Sequence, residues 1–477
     1  MDYRSTIGLE IHAQLSLNSK MFAPEMSAFG ALPNTLVSPV SLAHPGTLPT
    51  INKKAIDYAI KLGLACHCDI THLNYFDRKN YYYPDLPKGY QITQDQTPIC
   101  RNGYICYEDN KTVKHIELER IHMEEDAGKS IHDISDEFTF LDYNRAGIAL
   151  LEIVTKPQLH SGQEAFCFVT ELRRLLRYLE ICDGNMEKGS LRCDANISVT
   201  KTDKLGQKVE VKNMNSIKNI QLAIEYEIER QINELEQGNE VIAETRMFDA
   251  LTKTTKHQRY KSDAIGYHYF TEPDLYPIYV SDEWINLIKE TMPLLPQEYK
   301  QILQNKYGLN EYSASVLIDD KEFLMYFIKA SEVIHDYKNL VNWIIGPIKS
   351  YLNNYKIGLY ELNLSFKSLN ELLQLVNDNV VSYTVAHQNI FPLLIENPDK
   401  TARQIAEELN VIQNSNDSEI EQIIKDVLSQ YPDKVKAYQN AKKGILGMFM
   451  GEIMKQTQGS ADPKLANSLL LKYLEEK

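Results

Sequence analysis

The sequence has no uninterrupted apolar run near the ~18 residues that a membrane-spanning helix needs, so no membrane span is expected. Its opening stretch, Met1 to Leu15, lacks the apolar core of a secretory signal peptide. It lacks an excess of positive charge. Its 51 Lys and Arg face 65 Asp and Glu, a net charge of −14, which argues against a chain that coats nucleic acid through bulk electrostatics. It lacks any Cys-x-x-Cys pair. The seven cysteines, an odd number, all fall within the first 193 residues, so neither a disulfide framework nor a cysteine-only zinc site is expected. Repeats and low-complexity tracts are missing too. These absences together predict a soluble, cytoplasmic protein.

What the chain does have is a globular composition. Of its 477 residues, 43% are hydrophobic and 24% charged, which excludes wholesale disorder and leaves room for about three domains. Over roughly the first 290 residues, short strand patterns alternate with turn clusters and helices. Ser5 to His12, Lys114 to Leu118 and Leu191 to Val199 read as strands. Ile56 to Leu64, Gly162 to Ile181 and Ile217 to Gln237 read as helices, the second from apolar Val169, Leu172, Leu176 and Leu179. From Asp282 onward helical periodicity takes over, punctuated by Pro293, Pro296, Pro347 and Pro392. The string Asn397-Pro398-Asp399-Lys400-Thr401 opens a further helical stretch. The expected fold is α+β: a mixed-sheet domain over residues 1–292, an all-α domain over 293–396 and a small all-α tail over 397–477.

Several polar strings carry candidate chemistry. Glu10 and His12 lie two apart in a strand and share a face. A carboxylate beside an imidazole suits a divalent metal or an acid/base pair, and equally a solvated strand face. Glu124, Glu125 and Asp126 follow one another, and such acids repel unless water or a cation screens them. A solvated turn and a Mg²⁺ site both answer to that description. Between Ser190 and Ser198, Arg192, Asp194 and Asn196 share a strand face. Glu210 and Lys212 precede a helix that Asn215 or Ser216 caps. Lys79 and Lys88 flank Tyr81, Tyr82 and Tyr83; packing alone explains an aromatic loop, yet both lysines suit phosphates or the acids. Gly128-Lys129-Ser130 imitates the end of a P-loop, but Met123 stands where its first glycine belongs, and no GxGxxG string occurs.

The strings IGLEIHAQL, FDRKNYYYPDLPKGYQIT, HMEEDAGKS, DYNRAGIALLEIVT, MEKGSLRCDANIS, EVKNMNS and FTEPDL follow in this order. On them the chain closely resembles, from end to end, the B subunits of bacterial aspartyl/glutamyl-tRNA(Asn/Gln) amidotransferases. The resemblance implies a cradle-shaped first domain, a helical domain and a tail similar to the YqeY family. It implies a complex of three different chains, in which an amidase (glutaminase) partner frees ammonia from glutamine and a small third partner completes the assembly. It implies that ATP with Mg²⁺ phosphorylates the side-chain carboxylate of Glu-tRNA(Gln), Asp-tRNA(Asn) or both, and that ammonia displaces the phosphate. Phosphorylation turns a carboxylate oxygen into a leaving group, and Mg²⁺ neutralises the developing charge. Carried over by motif, Glu10, His12, Glu124, Glu125, Asp194 and Glu210 line the kinase site and its metal, with His12 and Glu125 nearest the ion. The implied ATP contacts are Lys79, Tyr82, Ser190, Arg192 and Lys212. Lys79 and Lys88 reach phosphate or line the ammonia path beside Glu125, so these three are the implied catalytic residues.

Two places depart from the family pattern. Relatives with a zinc site carry cysteines where this chain has Ala23, Glu25, Ser38 and Ser41. Serine hydroxyls are poor zinc ligands, so no zinc is expected. The usual arginine of a Tyr-Arg-Tyr-Phe string is His268, a weaker phosphate ligand at neutral pH. In the tail, the stretch Lys434 to Lys472 holds seven lysines against Glu452 and Asp462. A solvated helical face explains that stretch, and so does a phosphate-reading patch; the resemblance favours tRNA binding through Lys436, Lys442, Lys443 and Lys455. Two rival readings are a tRNA-docking scaffold without chemistry, which the assembled acids disfavour, and a free-standing ligase for a small acid, which the missing P-loop and the lysine-rich tail disfavour.

Overall fold

Along Arg4–Gln14, Ile7, Leu9, Ile11 and Ala13 alternate with Glu10, His12 and Gln14, and the segment folds as a strand with one apolar and one polar face. The computed structural model describes residues 2–260, 267–412, 417–439, 443–457, 461 and 463–475. They divide into two compact units, Met1–Glu298 and Tyr299–Lys477. In the first, Arg4–Gln14 lies in the middle of a ten-stranded sheet, between antiparallel Leu191–Thr200 and Ala149–Thr155. Beyond Leu191–Thr200 come Val209–Lys212, Glu244–Asp249 and Thr254–Tyr260. Beyond Ala149–Thr155 come Thr112–Glu125, Cys100–Arg101 and Asp69–Ile70, with Tyr104–Asp109 also paired to Thr112–Glu125. Val209–Lys212 and Glu244–Asp249 run parallel.

Helices Lys53–Ala65, Gly162–Tyr178 and Ile217–Glu236 cover the apolar face. Ile56, Phe168, Leu172 and Ile220 there join Ile7, Ile11, Ile121, Ile153 and Ile197 in one core. Each such side chain stabilises by roughly 1.5–3 kcal/mol when buried, and a one-residue slip of any strand forfeits that. The apolar face therefore fixes the register that arranges the polar face. Ser161 and Ser216 cap the second and third helices through Glu164 N and Asn219 N, both at 3.1 Å; of the two candidate caps, Ser216 serves and Asn215 does not. The helix expected to reach Ile181 ends at Tyr178. Glu180 turns left-handed (φ 58°), and the Ile181 N–H bends back to Leu176 O at 3.2 Å.

A smaller antiparallel sheet joins His268–Thr271, Asp77–Asn80 and Tyr90–Thr93. Arg78 fastens it, donating to both oxygens of the buried Glu272 carboxylate at 2.8 Å and to Asp274 at 3.1 Å. The FTEPDL string is thus an anchor for the strand that carries Lys79.

Among the described residues of the second unit, every regular element is helical. Thr401 starts the helix Ala402–Glu408 with a reciprocal cap: Thr401 Oγ1 accepts from Gln404 N at 3.2 Å, and Gln404 Oε1 accepts from Thr401 N at 3.0 Å. Pro347 sits in a π-helical turn, Ile344–Ile348, and Pro392 in the first turn of Phe391–Glu396. Helices Asp417–Gln430, Leu446–Gln456 and Pro463–Glu475 share a core of Ile424, Val427, Phe449, Ile453 and Leu470. Among the described residues, no helix is long and apolar enough to cross a membrane.

Candidate active site

The polar face of the large sheet is ordered by strand register. Arg192 lies opposite His12, His12 opposite Glu152, and Glu152 opposite His122, a row across four strands. Residues so paired share a face, and Glu124, two positions past His122, joins them. His12 Nε2 is 3.4 Å from Glu152 Oε2 and 3.5 Å from Glu124 Oε1. His122 Nε2 is 3.2 Å from Glu152 Oε2 and 3.7 Å from Glu124 Oε2. Burial opposes the charged form of both imidazoles, but the two carboxylates outweigh it. His12 is raised above its ordinary value and His122 is pushed up to about 9. Burial also opposes a charged Glu152, yet the flanking histidines hold it well below the usual carboxylate range.

Ligand atoms of His12, Glu124 and Glu152 all lie within 4.8 Å of one another. One imidazole and two carboxylates suit a hard divalent cation. Three buried polar atoms on this face, His122 Nδ1, Arg192 Nε and Asn196 Oδ1, have no partner among the described residues. Buried polar atoms are nearly always satisfied, so the donor set and the orphaned atoms both fit a further ionic group.

The face continues toward Val209–Lys212. Glu10 Oε1 accepts from Asn196 Nδ2 at 2.8 Å. Lys212 Nζ bridges Asp194 and Glu210, the latter at 3.3 Å, and the two carboxylates raise its pKa although burial opposes this. Thr245 Oγ1 donates to Glu210 Oε2 at 2.8 Å. Arg192 Nη2 donates to Asp126 Oδ2 at 2.7 Å. A cavity of about 500 Å³ is lined by Lys188, Gly189, Arg192, Asp194, Asn213 and Asn215. Ser190 lies between two of its lining residues, Gly189 and Leu191.

Glu124, Glu125 and Asp126 are buried rather than a solvated turn. Neighbours in a strand leave it on opposite faces, and this separates the two glutamates. Glu124 meets the histidines. Glu125 Oε1 instead accepts from Lys88 Nζ and from Ile92 N, the latter at 2.9 Å. The structure brings His12 together with Glu124 and Glu152, and not with Glu125, Glu10, Asp194 or Glu210. Lys79 Nζ stands 4.6 Å from the Tyr267 ring centre and does not line the cavity; nor does Tyr82, a residue that is 90% exposed. His268 is paired with Asn80 and Tyr269 with Lys79, so the exposed His268 ring lies on the strand face away from Lys79. Lys129–Ile131 is a strand paired to Phe140–Asp142 and not a phosphate loop.

Among the four positions where the resemblance implies zinc-ligating cysteines in some relatives, Glu25 lies 3.2 Å from the fully buried Lys20 Nζ. Burial opposes a charged Glu25, but the Ser41 and Ser38 hydroxyls and Lys20 hold its pKa down. In the tail, Lys436 and Lys455 are exposed on helices Pro432–Gln439 and Leu446–Gln456. Lys442 and the side chain of Lys443 lie outside the described residues.

Glu152 and His122 escaped the sequence reading. The signal for Glu152 was present, since it is the lone charge in the apolar run Ile148 to Val154. His122 stands two before Glu124, the spacing that singled out Glu10 and His12.

Known proteins match the chain over this sheet and beyond it. The family model of the GatB/GatE catalytic domain matches residues 5–286, and that of the GatB domain matches residues 325–474. The chain is 44% identical to the aspartyl/glutamyl-tRNA(Asn/Gln) amidotransferase B subunit of Thermodesulfovibrio yellowstonii, over 100% of both chains. It is 42% identical to that of Caldanaerobacter subterraneus, again over 100% of both, and 43% identical to that of Rickettsia rickettsii, over 98% of this chain and 97% of the relative. A catalytic-domain match spanning the whole large sheet, with relatives aligned from end to end, settles the membership: the chain belongs to the family of aspartyl/glutamyl-tRNA(Asn/Gln) amidotransferase B subunits.

Proposed function

We propose that this chain carries out ATP-dependent transamidation of Glu-tRNA(Gln), Asp-tRNA(Asn) or both: the side-chain carboxylate is phosphorylated, and ammonia from a partner amidase replaces the phosphate. The observation that carries this reading is the His12, Glu124 and Glu152 cluster, on the same sheet face as Arg192 and Asp194 of the cavity wall. These three side chains are the holders for Mg²⁺, which when bound neutralises charge on the phosphates. The chain's own residues supply position and charge. His122 fixes the Glu152 carboxylate from the side away from His12. Arg192 and Lys212, with Ser190 nearby, are the ATP contacts, Arg192 being steadied by Asp126 and Lys212 by Asp194 and Glu210. Glu10 orients Asn196.

On the other side of the strand, Lys88 and Glu125 handle the nucleophile. An arriving ammonium ion gives its proton to Glu125 and attacks as neutral ammonia. Lys79, set apart from the cavity, is assigned to substrate phosphate, and Tyr82 drops out of the ATP contacts. The partners are an amidase (glutaminase) chain and a small third chain of the same complex. The location is the cytoplasm, and the Lys20–Glu25 pair serves in place of zinc. Residues 1–292 carry the chemistry, 293–396 the helical connection, and 397–477 the tRNA contacts through Lys436, Lys442, Lys443 and Lys455.

The test uses the complex with both partner chains, charged tRNA and ATP. ATP turnover that requires both Mg²⁺ and a charged tRNA, and that falls about 100-fold or more in Glu152→Gln, supports the reading. Turnover that ignores charged tRNA, or that survives Glu152→Gln, refutes it.

A further inference from the structure

The smaller sheet has a face on which, of the residues given a part in the reaction so far, Lys79 stands among tyrosines that have none. Register places Tyr269 opposite Lys79 and Lys79 opposite Gln91. That face looks onto the end of the strand Thr112–Glu125: Gln91 Nε2 donates to Glu125 O at 2.6 Å, and Thr93 Oγ1 approaches Glu124 Oε2 at 3.4 Å. Three rings stand on it. The centroids of Tyr81 and Tyr267 are 5.4 Å apart, and those of Tyr267 and Tyr269 6.4 Å apart. Tyr267 is 49% exposed and Tyr269 39%. Lys79 Nζ lies over the Tyr267 ring and makes no ion pair with any described residue. Burial and the nearby Glu124 charge push the Tyr81 phenol up, and Tyr269 rises to about 12 for similar reasons, with Asp95 contributing more than Glu124. The rings therefore border the carboxylate cluster, and Tyr267 and Tyr269 stay partly exposed.

Partly exposed tyrosine rings beside a lysine are what a single-stranded nucleotide needs: a surface to stack the base and a cation to meet its phosphate. We propose that Tyr81, Tyr267 and Tyr269, with Lys79, form a stacking wall for the terminal nucleobase of the aminoacylated acceptor end. The inference rests on the proposed transamidation, in which the esterified side-chain carboxylate must reach the His12, Glu124 and Glu152 cluster. A wall at the rim of that cluster holds the base of the same nucleotide. The alternative base, that of ATP, belongs with the cavity of Arg192 and Asn213, which none of these tyrosines lines.

The experiment uses the complex and two probes: adenosine bearing a 3′-amide-linked glutamate, and the same glutamate on an abasic ribose. The adenosine probe competes with charged tRNA, and the abasic probe is about tenfold weaker. That difference disappears in the Tyr267→Leu, Tyr269→Leu double variant and persists in the Tyr267→Phe, Tyr269→Phe variant, which keeps the rings. The KM for ATP stays unchanged in both. Equal inhibition by the two probes overturns the wall, as does a base preference that survives the leucines. A raised KM for ATP assigns the rings to ATP instead, and loss of the amidase partner on gel filtration assigns them to a contact between chains; either result overturns the inference. These outcomes arise in a complex that still amidates full-length charged tRNA. A wild-type complex that does not amidate it refutes the transamidase reading itself.

Discussion

Glu124 and Glu125 are one position apart, yet they face different partners, because a strand alternates its side chains. Glu124 sits among imidazoles and Glu152, whereas Glu125 is held by Lys88 and the Ile92 N–H. The two therefore fail differently when neutralised. Glu124→Gln removes a carboxylate from the cation cluster, and Mn²⁺ affinity, read by electron paramagnetic resonance, falls about 10–100-fold. Glu125→Gln leaves Mn²⁺ binding and charged-tRNA-dependent ATP hydrolysis near wild type, while amide formation drops. Equal loss of Mn²⁺ affinity in both variants refutes the separation. Lys20 makes a further prediction at this scale. It is fully buried beside Glu25, and burial lowers its pKa although Glu25 opposes that. Lys20→Met strands the Glu25 charge and costs roughly 3–5 kcal/mol in urea unfolding, most of it recovered when Glu25→Gln is added. A single variant as stable as wild type shows that the pair holds nothing in place.

At the scale of the element, what could be read beforehand was whatever is local. The period of two placed Glu10 with His12 and Arg192 with Asp194 on common faces, and the structure has them so. The cap at Ser216 and the start at Thr401 are equally local. Pairing between strands is not. Glu152 and His122 enter the site because Ala149–Thr155 lies between Arg4–Gln14 and Thr112–Glu125, a pairing that joins His12 to Glu152 and Glu152 to His122 across stretches of chain that no local pattern spans. The same non-locality hid the partner of Glu210. Its neighbour Thr245 belongs to the strand Glu244–Asp249, where Glu244 accepts from His257 and Arg246. Burial opposes a charged Glu244, but these partners bring its pKa below the ordinary carboxylate value. A lowered carboxylate pKa contributes stability above its unfolded value, and the contribution is lost as pH falls through the folded one. Glu244→Gln is therefore less stable than wild type by about 1.5–3 kcal/mol near neutrality, and the gap narrows as the pH falls below about 4. A gap that stays constant down to acid pH removes the carboxylate from the account.

At the scale of the whole molecule, the charge is distributed unevenly. The chain carries −14 overall, whereas the stretch from Lys434 to Lys472 is rich in lysine. The described part of that stretch leaves Lys436 and Lys455 exposed, on helices whose apolar sides close over Val427, Phe449 and Ile453. An acidic protein repels a polyanion at long range, and at 0.15 M salt that repulsion is screened beyond about 8 Å. Local lysines then decide contact with the tRNA backbone, and each one on a phosphate releases counterions and steepens the salt dependence. Changing both Lys436 and Lys455 to alanine should weaken tRNA binding and flatten the plot of log affinity against log salt by about one unit for each lost contact. ATP turnover at saturating charged tRNA should stay close to wild type, because neither side chain belongs to the sheet that bears the His12, Glu124 and Glu152 cluster. A filter-binding titration from low to physiological salt reads the slope directly. An unchanged slope with an unchanged affinity makes these lysines an ordinary solvated face, whereas a flattened slope with intact turnover separates the grip on the tRNA from the chemistry on its amino acid.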